Sequence, residues 1–322
     1  MDSFGSETAQ TIEHVFAYHG TMSENVSIQR CPPEHRPTAL RELHAELPPE
    51  QQLGLVQALK STRDQDDSAF DGLIVALADE SIAGATWCQL APGSTAVIWL
   101  PNFTSPAAVP LLEAAVDFLD ERRIVLAQLL ANADDSIPAE LLAAADLRKL
   151  ARLAYLSVEN TMFPATEPKS RLQFESHASE DARRLGDLLL LTYQGSLDCP
   201  QLNGVRTSAD ILDGYRQQGA FSADRWFFVR HDGQDAGALI LAAHPETANC
   251  ELVYMGLVPA ARGQRLGREV LEFAMWKAGT DHAERLVLAV DEANKPALDT
   301  YLQAGFQPWD HRTVFARLRQ RD

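Results

Sequence analysis

Strand-like and helix-like hydrophobic patterns alternate through the second half of the chain. Runs rich in β-branched and aromatic residues predict strands at 171–176, 225–230, 236–243, 250–258, 285–290 and 312–318. Apolar residues at helical spacing predict helices at 179–193, 209–219, 266–279 and 295–305. The Asp-Gly pair in "HDGQ", residues 231–234, is typical of a hairpin turn. The pattern therefore predicts an α/β fold with a mixed sheet.

The first half repeats this order of elements. Residues 71–101 predict three strands, followed by a helix, a strand, a helix and a strand at 109–121, 124–131, 138–150 and 152–158. Ala83-Gly84 and Pro92 match Ala236-Gly237 and Pro245 at one common offset. We therefore predict an internal duplication into residues 1–165 and 166–322, joined by a Pro-containing linker at 159–170.

Length and composition agree with two globular domains. The chain has 322 residues, of which 46% are hydrophobic and 23% charged, as in soluble folded proteins. No apolar run reaches the roughly 18 residues that a membrane helix needs, and the N-terminus lacks a signal-peptide pattern. These features predict a cytoplasmic protein that does not enter the membrane.

Charge and cysteine spacing exclude several classes of partner. The net charge is −17, with 23 acidic and 10 basic residues in 1–165 against 22 and 18 in 166–322. We therefore predict that the protein does not bind nucleic acid, because phosphate contacts need clustered Lys and Arg. The four cysteines are far apart without a CxxC pair, so we predict neither disulfides nor a metal site. A small anion is better accommodated in the second half.

The sequence "PAARGQRLG", residues 259–267, joins a strand to a helix. Unpaired backbone N–H groups and the positive end of the helix dipole meet at such a point. Gly263 and Gly267 allow close approach of a ligand, and Arg262 and Arg265 add positive charge. A diphosphate fits this loop; the alternative is a surface turn whose arginines are solvated. The chain has neither GxGxxG nor GKS/GKT, which argues against a Rossmann or Walker loop.

This loop resembles the acetyl-CoA site of the GNAT superfamily of N-acetyltransferases. Arg262 and Gly267 match the family's pattern, whereas Arg265 stands at its middle glycine. The resemblance implies that acetyl-CoA is the co-substrate and is bound by the loop. The loop residues concerned are Arg262, Gly263, Gln264, Arg265, Leu266 and Gly267.

A second segment, "VDEANKPALDTYLQAGF" at 290–306, resembles the family's next strand-to-helix motif. By this resemblance Asn294 contacts the co-substrate, and Tyr301 lies near the thioester sulfur as the acid that protonates the thiolate. The strand before the loop is implied to splay at a bulge. The backbone groups of Met255, Leu257 and Val258 then bind the pantetheine arm and polarise the acetyl carbonyl.

The catalytic base and the acceptor site are expected around the same strand end. Glu251 falls where some family members place a glutamate that deprotonates the amine through water. The alternatives are a solvent-exposed Glu251 and a Tyr301 that only packs in the core. The segment 192–207 borders the acceptor cleft in this fold, so Asp198 and Asn203 are candidates to bind the amine, whereas Cys199 is interpreted as a small buried residue.

The first copy lacks both motifs. "PNFTSPAAVP", residues 101–110, has no arginine, and Leu142 stands where Tyr301 falls in the second copy. The tandem arrangement resembles GNAT proteins of the mycothiol synthase type, with a degenerate N-terminal copy. We expect an N-acetyltransferase acting on a small-molecule or peptide amine by direct transfer; the alternative is a non-catalytic acyl-CoA sensor or scaffold. The sequence gives no oligomeric state.

Overall fold

The structure is a computed structural model that describes residues 26–47, 49–62, 66–133, 135–177 and 181–319. Within these residues, no helix combines the length and the apolar character needed to span a bilayer.

The described residues of the first half form six strands and four α-helices. The strands are β1 (Val26–Arg30), β2 (Leu73–Ala78), β3 (Ser81–Ala91), β4 (Thr95–Trp99), β5 (Leu126–Asn132) and β6 (Arg148–Glu159). The helices are α1 (Arg36–Glu46), α2 (Pro49–Ser61), α3 (Ala108–Glu121) and α4 (Ala139–Ala144).

The second half follows the same order. Its strands are β7 (Gln173–Ser176), β8 (Trp226–His231), β9 (Gln234–His244), β10 (Asn249–Leu257), β11 (Arg285–Asp291) and β12 (Gln307–Leu318). Its helices are α5 (Ala182–Tyr193), α6 (Ser208–Arg216), α7 (Leu266–Thr280) and α8 (Lys295–Gln303). Residues 179–180, the predicted start of α5, lie outside the described residues.

All twelve strands form one sheet in the order β1-β2-β3-β4-β5-β12-β6-β11-β10-β9-β8-β7. The pairs β4–β5 and β10–β11 are parallel and the other pairs are antiparallel. The predicted fold class, a mixed and mostly antiparallel sheet flanked by helices, is confirmed.

The two halves exchange their last strands at the centre of this sheet. Strand β6 of the first half lies between β11 and β12, and β12 lies between β6 and β5 of the first half. Arg317 on β12 reinforces the exchange, because its guanidinium bonds the Asp120 carboxylate of α3 at 2.9 Å. Along the chain the division at residue 165 stays a prediction; in space each half completes the sheet of the other.

Equivalent irregularities recur in the two halves, as a duplication predicts. The register shifts between Ala76 and Leu77 in the β2–β3 pair and between Val229 and Arg230 in the β8–β9 pair. These positions keep the offset that relates Ala83-Gly84 to Ala236-Gly237. In both halves the parallel pair has only three matched residues, 95–97 with 126–128 and 249–251 with 285–287.

Helices cover both faces of the second half. Helix α7 and Tyr301 of α8 bury one face, with Leu156 and Val158 of the exchanged strand β6 in the same apolar cluster. Helices α5 and α6 cover the other face through Leu185, Leu189 and Ile211. Because side chains alternate along a strand, each strand contributes to both layers.

Local predictions differ from the structure at a few points. Helix α4 ends at Ala144, well before the predicted residue 150, and β6 begins at Arg148 after Asp146 takes a left-handed φ of 48°. Helix α6 begins at Ser208, one residue before the predicted start, because Thr207 caps it and forms a capping box with Asp210. The predicted hairpin at 231–234 is confirmed by positive φ at Asp232 and Gly233.

Candidate functional site

The loop before α7 presents a run of unpaired backbone donors. Among the described hydrogen bonds, none uses the N–H groups of residues 263–267. The first N–H of this segment with an acceptor is that of Arg268, which donates to the Arg265 carbonyl at 3.3 Å. Five successive donors at a helix N-terminus form an anion site, because their dipoles add to that of the helix.

The glycines of this loop leave the donors accessible. A Cβ built at Gly263 or Gly267 would meet no heavy atom within 4 Å, so open space lies above both residues. Arg265 takes φ 62° and ψ 13°, the left-handed conformation for which glycine is best suited. The departure from the family's pattern at this position therefore keeps the backbone shape of a glycine loop.

Replacing Arg265 with Gly should separate the loop's shape from its charge. We expect the free energy of unfolding to stay level or rise by up to about 1 kcal/mol, because the left-handed strain is relieved. CoA affinity should fall about tenfold, because a cation near the diphosphate is lost. Denaturant unfolding and calorimetry measure the two effects. Arg268→Ala is the control, since Arg268 already pairs with Glu272 at 2.9 Å; equal loss there would contradict the assignment.

Arg262 holds the surrounding backbone in place. Its guanidinium donates to the carbonyls of Leu257 at 3.0 Å, Thr192 at 2.7 Å, Gln194 at 2.7 Å and Gly195 at 3.0 Å. These contacts join the C-terminal end of α5 to the end of β10, and a cation there also favours the helix dipole. Binding of the co-substrate by the Arg262 side chain stays a prediction, while the contacts give it a positioning role.

Strands β10 and β11 separate just before this loop. They pair only from Asn249–Arg285 to Glu251–Val287, and the β9–β10 register shifts between Leu252 and Tyr254. The N–H of Val258 donates to Ala236 on β9 at 2.9 Å. Since hydrogen-bonding direction alternates along a strand, the N–H groups of Met255 and Leu257 point into the gap instead. The bulged, splayed strand implied by the resemblance is present.

Tyr301 is buried on α8, in the apolar cluster against which Met255, Leu257 and Val258 pack. It is 6% exposed and packs against Phe306, with ring centroids 5.7 Å apart. Burial, and then the nearby Asp198 carboxylate, raise the pKa of its hydroxyl well above its ordinary value. Among the described residues no hydrogen-bond partner is found for that hydroxyl. Tyr301 therefore holds its proton at neutral pH.

Asp198 and Asp291 meet at the end of β11. The Asp291 N–H donates to Asp198 Oδ1 at 3.0 Å, and the Cys199 N–H donates to Asp291 Oδ2 at 3.3 Å. Desolvation, and then the charge of Asp291, raise the pKa of the Asp198 carboxyl. The loop that carries Asp198 thus contacts β11 at the open end of the gap. Asp291 was not predicted from the sequence, because an acidic residue at the end of a strand is common.

Cys199 is half-buried, not fully buried as interpreted from the sequence. Burial and the neighbouring charges of Asp198 and Asp291 raise its pKa to about 12. Since the thiolate is the nucleophile, so high a pKa argues against a covalent acyl-cysteine step.

Glu251 lies on β10 at the last residue paired with β11 and bonds His244. The distance from Glu251 Oε2 to His244 Nε2 is 2.7 Å, and the two side chains are 29% and 34% exposed. The hydrogen bond to Glu251 raises the pKa of His244 above 6.5, and burial opposes it. The stability from this pair is complete below pH 6.5 and is lost as the pH rises through the raised pKa of His244.

A buried tyrosine network adjoins the gap. The Tyr254 hydroxyl bonds Thr192 Oγ1 at 2.7 Å, and the Tyr193 and Tyr215 hydroxyls bond each other at 2.6 Å. The Tyr254 ring stacks on Tyr215 at 5.7 Å. These tyrosines could not be predicted as site residues, because isolated tyrosines on amphipathic elements carry no local signature.

The two predicted asparagines have different surroundings. Asn294 caps α8, with its side-chain oxygen accepting from Ala297 N–H at 3.4 Å. Gln264 similarly bonds the Ala260 carbonyl at 3.0 Å, and Leu266 is buried. Asn203 is exposed, and no contact among the described residues joins its side chain to Asp198 or Tyr301.

The corresponding loop of the first half satisfies its own donors. Asn102 Oδ1 accepts from Thr104 N–H at 2.8 Å, and Ser105 Oγ accepts from Ala107 N–H at 3.2 Å. The N–H of Ala108 donates to the Ser105 carbonyl at 3.0 Å. Backbone N–H groups before α3 therefore have acceptors, whereas those at 263–267 before α7 have none among the described hydrogen bonds.

The first half also supports the segment 192–207 of the second. Leu202 and Val205 pack against Val125 and Leu126 at the start of β5. Ser94 donates to the Asp210 carboxylate of α6 at 3.0 Å. The segment 192–207 is therefore held between the two halves.

Comparisons with known proteins agree with this geometry. Residues 196–306 match the model of the acetyltransferase (GNAT) family. Mycothiol acetyltransferase of Jonesia denitrificans is 34% identical over 89 residues, which cover 28% of this chain and 28% of that relative. The chain thus matches less than a third of the length of this curated relative.

Two solved structures are similar over nearly the whole chain. A GCN5-related N-acetyltransferase from Sphaerobacter thermophilus has a TM-score of 0.61 at 13% identity, covering 94% of this chain and 99% of its own. A tandem GNAT protein from the clavulanic acid biosynthesis pathway has a TM-score of 0.50 at 14% identity, covering 92% and 100%. At these identities the similarity shows the fold.

Residues 196–306 are thus similar to members of the GNAT acetyltransferase family. The predicted resemblance to the GNAT superfamily is confirmed over these residues, and the matched family is one of acetyltransferases.

Proposed function

We propose that the second half is an acetyl-CoA-dependent N-acetyltransferase that moves the acetyl group to a primary amine by direct attack in a ternary complex. The observation that carries the proposal is the continuity of the unpaired N–H groups at 263–267 with the gap between β10 and β11. An anionic diphosphate suits the first and an extended pantetheine arm suits the second.

The surrounding residues suit the two proton transfers of this reaction. A bond forms between the amine nitrogen and the acetyl carbon while the carbon–sulfur bond breaks. Glu251, next to the gap, takes the proton from the nitrogen, directly or through a water. Tyr301, which keeps its proton at neutral pH, donates it to the departing thiolate. Backbone N–H groups of β10 stabilise the developing oxyanion.

The first half acts as a scaffold in this proposal. Its loop 101–108 uses its own donors, and α4 carries no tyrosine at Leu142. Its contacts with Leu202, Val205 and Asp210 hold the acceptor loop. The acidic surface of the chain favours cationic amines through its field.

Amine-dependent release of CoA tests this function. The full chain is incubated with acetyl-CoA and a panel of primary amines, and CoA is separated chromatographically because the chain has four cysteines of its own. We expect CoA release to require an amine and to yield the acetylated amine. Binding of acetyl-CoA without turnover on any amine would favour the sensor function instead.

The pH profile should reveal the pairing of Glu251 with His244. Protonated His244 donates to Glu251 Oε2 and competes with the amine for that oxygen, so kcat/KM should rise as the pH passes the raised pKa of His244, above 6.5. In His244→Gln this acidic limb should move to lower pH, while acetyl-CoA affinity stays unchanged. The same limb in both proteins would contradict the role of the pair.

A further inference from the structure

One face of β11 points away from α7 and α8 and lies beside Glu251. Leu286, Leu288 and Val290 are buried under α7 and α8, so the alternate residues Val287 and Ala289 face the other way. Val287 pairs with Glu251, and Ala289 is exposed. A small exposed residue between longer neighbours leaves room for a ligand.

The side chains on the two sides of this face of β11 differ, with an acidic residue on one side and aromatic residues on the other. On the β10 side lie Glu251 and its partner His244. On the other side Tyr155 of β6 stands opposite Ala289, and Trp309 of β12 packs edge-on against it, with ring centroids 5.6 Å apart and an interplanar angle of 62°. Trp309 is 61% exposed. An aromatic pair, of which Trp309 is exposed and Tyr155 half-buried, therefore lies on the opposite side of Ala289 from the carboxylate.

The basic side chains near this face of β11 already have acidic partners. Arg152 and His311 contact the Glu292 carboxylate at 3.3 and 2.6 Å, and Arg312 contacts Asp310 at 2.7 Å. Burial raises the pKa of Tyr155; Arg312 lowers it, and Asp310 and Glu251 raise it. The Tyr155 ring thus lies within the field of Glu251, and no unpaired cation among these residues competes for a positively charged ligand.

We propose that Tyr155 and Trp309 bind the ammonium group of a cationic primary amine next to Glu251. Aromatic faces attract cations through their quadrupole, and the adjoining carboxylate supplies the opposite charge. The identification of this amine as the acetyl acceptor rests on the proposed function. Since Tyr155 belongs to β6, the exchange of strands makes the first half contribute directly to the acceptor site of the second.

Indole NMR on the full chain tests the subsite without turnover. Tryptophan ¹⁵N–H signals are recorded during titration with butylamine at neutral pH, and the Trp309 signal is identified with Trp309→Phe. Butan-1-ol, a neutral molecule of the same size, is the ligand control. We expect butylamine to shift the Trp309 signal with saturation and butan-1-ol to leave it unchanged.

Variants at Tyr155 give the proposal its decisive comparison. Tyr155→Phe keeps the ring and should bind butylamine as the wild type does, whereas Tyr155→Leu should weaken binding about fivefold. Arg148→Ala, at the exposed start of β6, is the matched control and should have no effect. Equal affinity in the Tyr155→Leu and wild-type proteins, or equal shifts with the alcohol, would overturn it. Loss of CoA release with these shifts intact would overturn the proposed function alone.

Discussion

Gly267→Asp should lower the affinity for CoA by roughly 100-fold or more, the larger of the effects expected at the loop. The Cβ enters open space above the unpaired N–H groups, so the new carboxylate lies where the diphosphate would bind. Two charges about 4 Å apart interact by about 4 kcal/mol at an effective dielectric constant of 20, and about 1.4 kcal/mol is tenfold in affinity. Equilibrium dialysis with CoA measures the change.

Gly267→Asn separates charge from size in this experiment. It has the same shape without the charge, and should cost far less affinity than Asp. Both variants should unfold at nearly the wild-type denaturant concentration, because the Cβ meets no neighbouring atom. Equal CoA affinity in Gly267→Asp and wild type would place the diphosphate elsewhere.

Residues 166–322 expressed alone should not give a stable domain. Strand β6 supplies seven paired residues to β11 and buries Ala154, Leu156 and Val158 in the core with α7 and α8. Its loss exposes the edges of β11 and β12 together with that apolar surface. The cost is several kcal/mol, against the roughly 5–15 kcal/mol by which domains are stable. Thermal unfolding and size-exclusion chromatography test this.

Co-expression of 1–165 with 166–322 is the matched control for that truncation. The two fragments contain all the exchanged strands, so we expect a complex that unfolds cooperatively and binds CoA. A monomeric 166–322 fragment with the thermal stability of the full chain would show that β6 does not hold the second half together.

Local chemistry explains why much of the fold could be predicted. The Asp-Gly turn at 232–233 and the strand-loop-helix segment ending at Gly267 have sequence signatures that act within a few residues. The end of α4 could not be located, because Ala and Leu continue to favour helix up to the left-handed Asp146. The polar helices α1 and α2 also gave too weak a pattern.

The exchange of β6 and β12 could not be read from local pattern. Both strands alternate in the same way, and nothing within either one states which neighbour it will pair with. The candidate site shows the same limit: the loop donors follow from sequence, whereas the Glu251–His244 contact and the position of Tyr155 depend on pairing between distant segments. Local signatures therefore predict the unpaired donors of the loop better than the surroundings of Glu251.

The proposed function requires that the second half of the chain, and not the first, binds acetyl-CoA. Calorimetric titration of the full chain with CoA tests it most directly, because stoichiometry and affinity come from one experiment. We expect one CoA-binding site per wild-type chain and no binding in Gly267→Asp. Two sites per chain, or one site unchanged by that substitution, would contradict it.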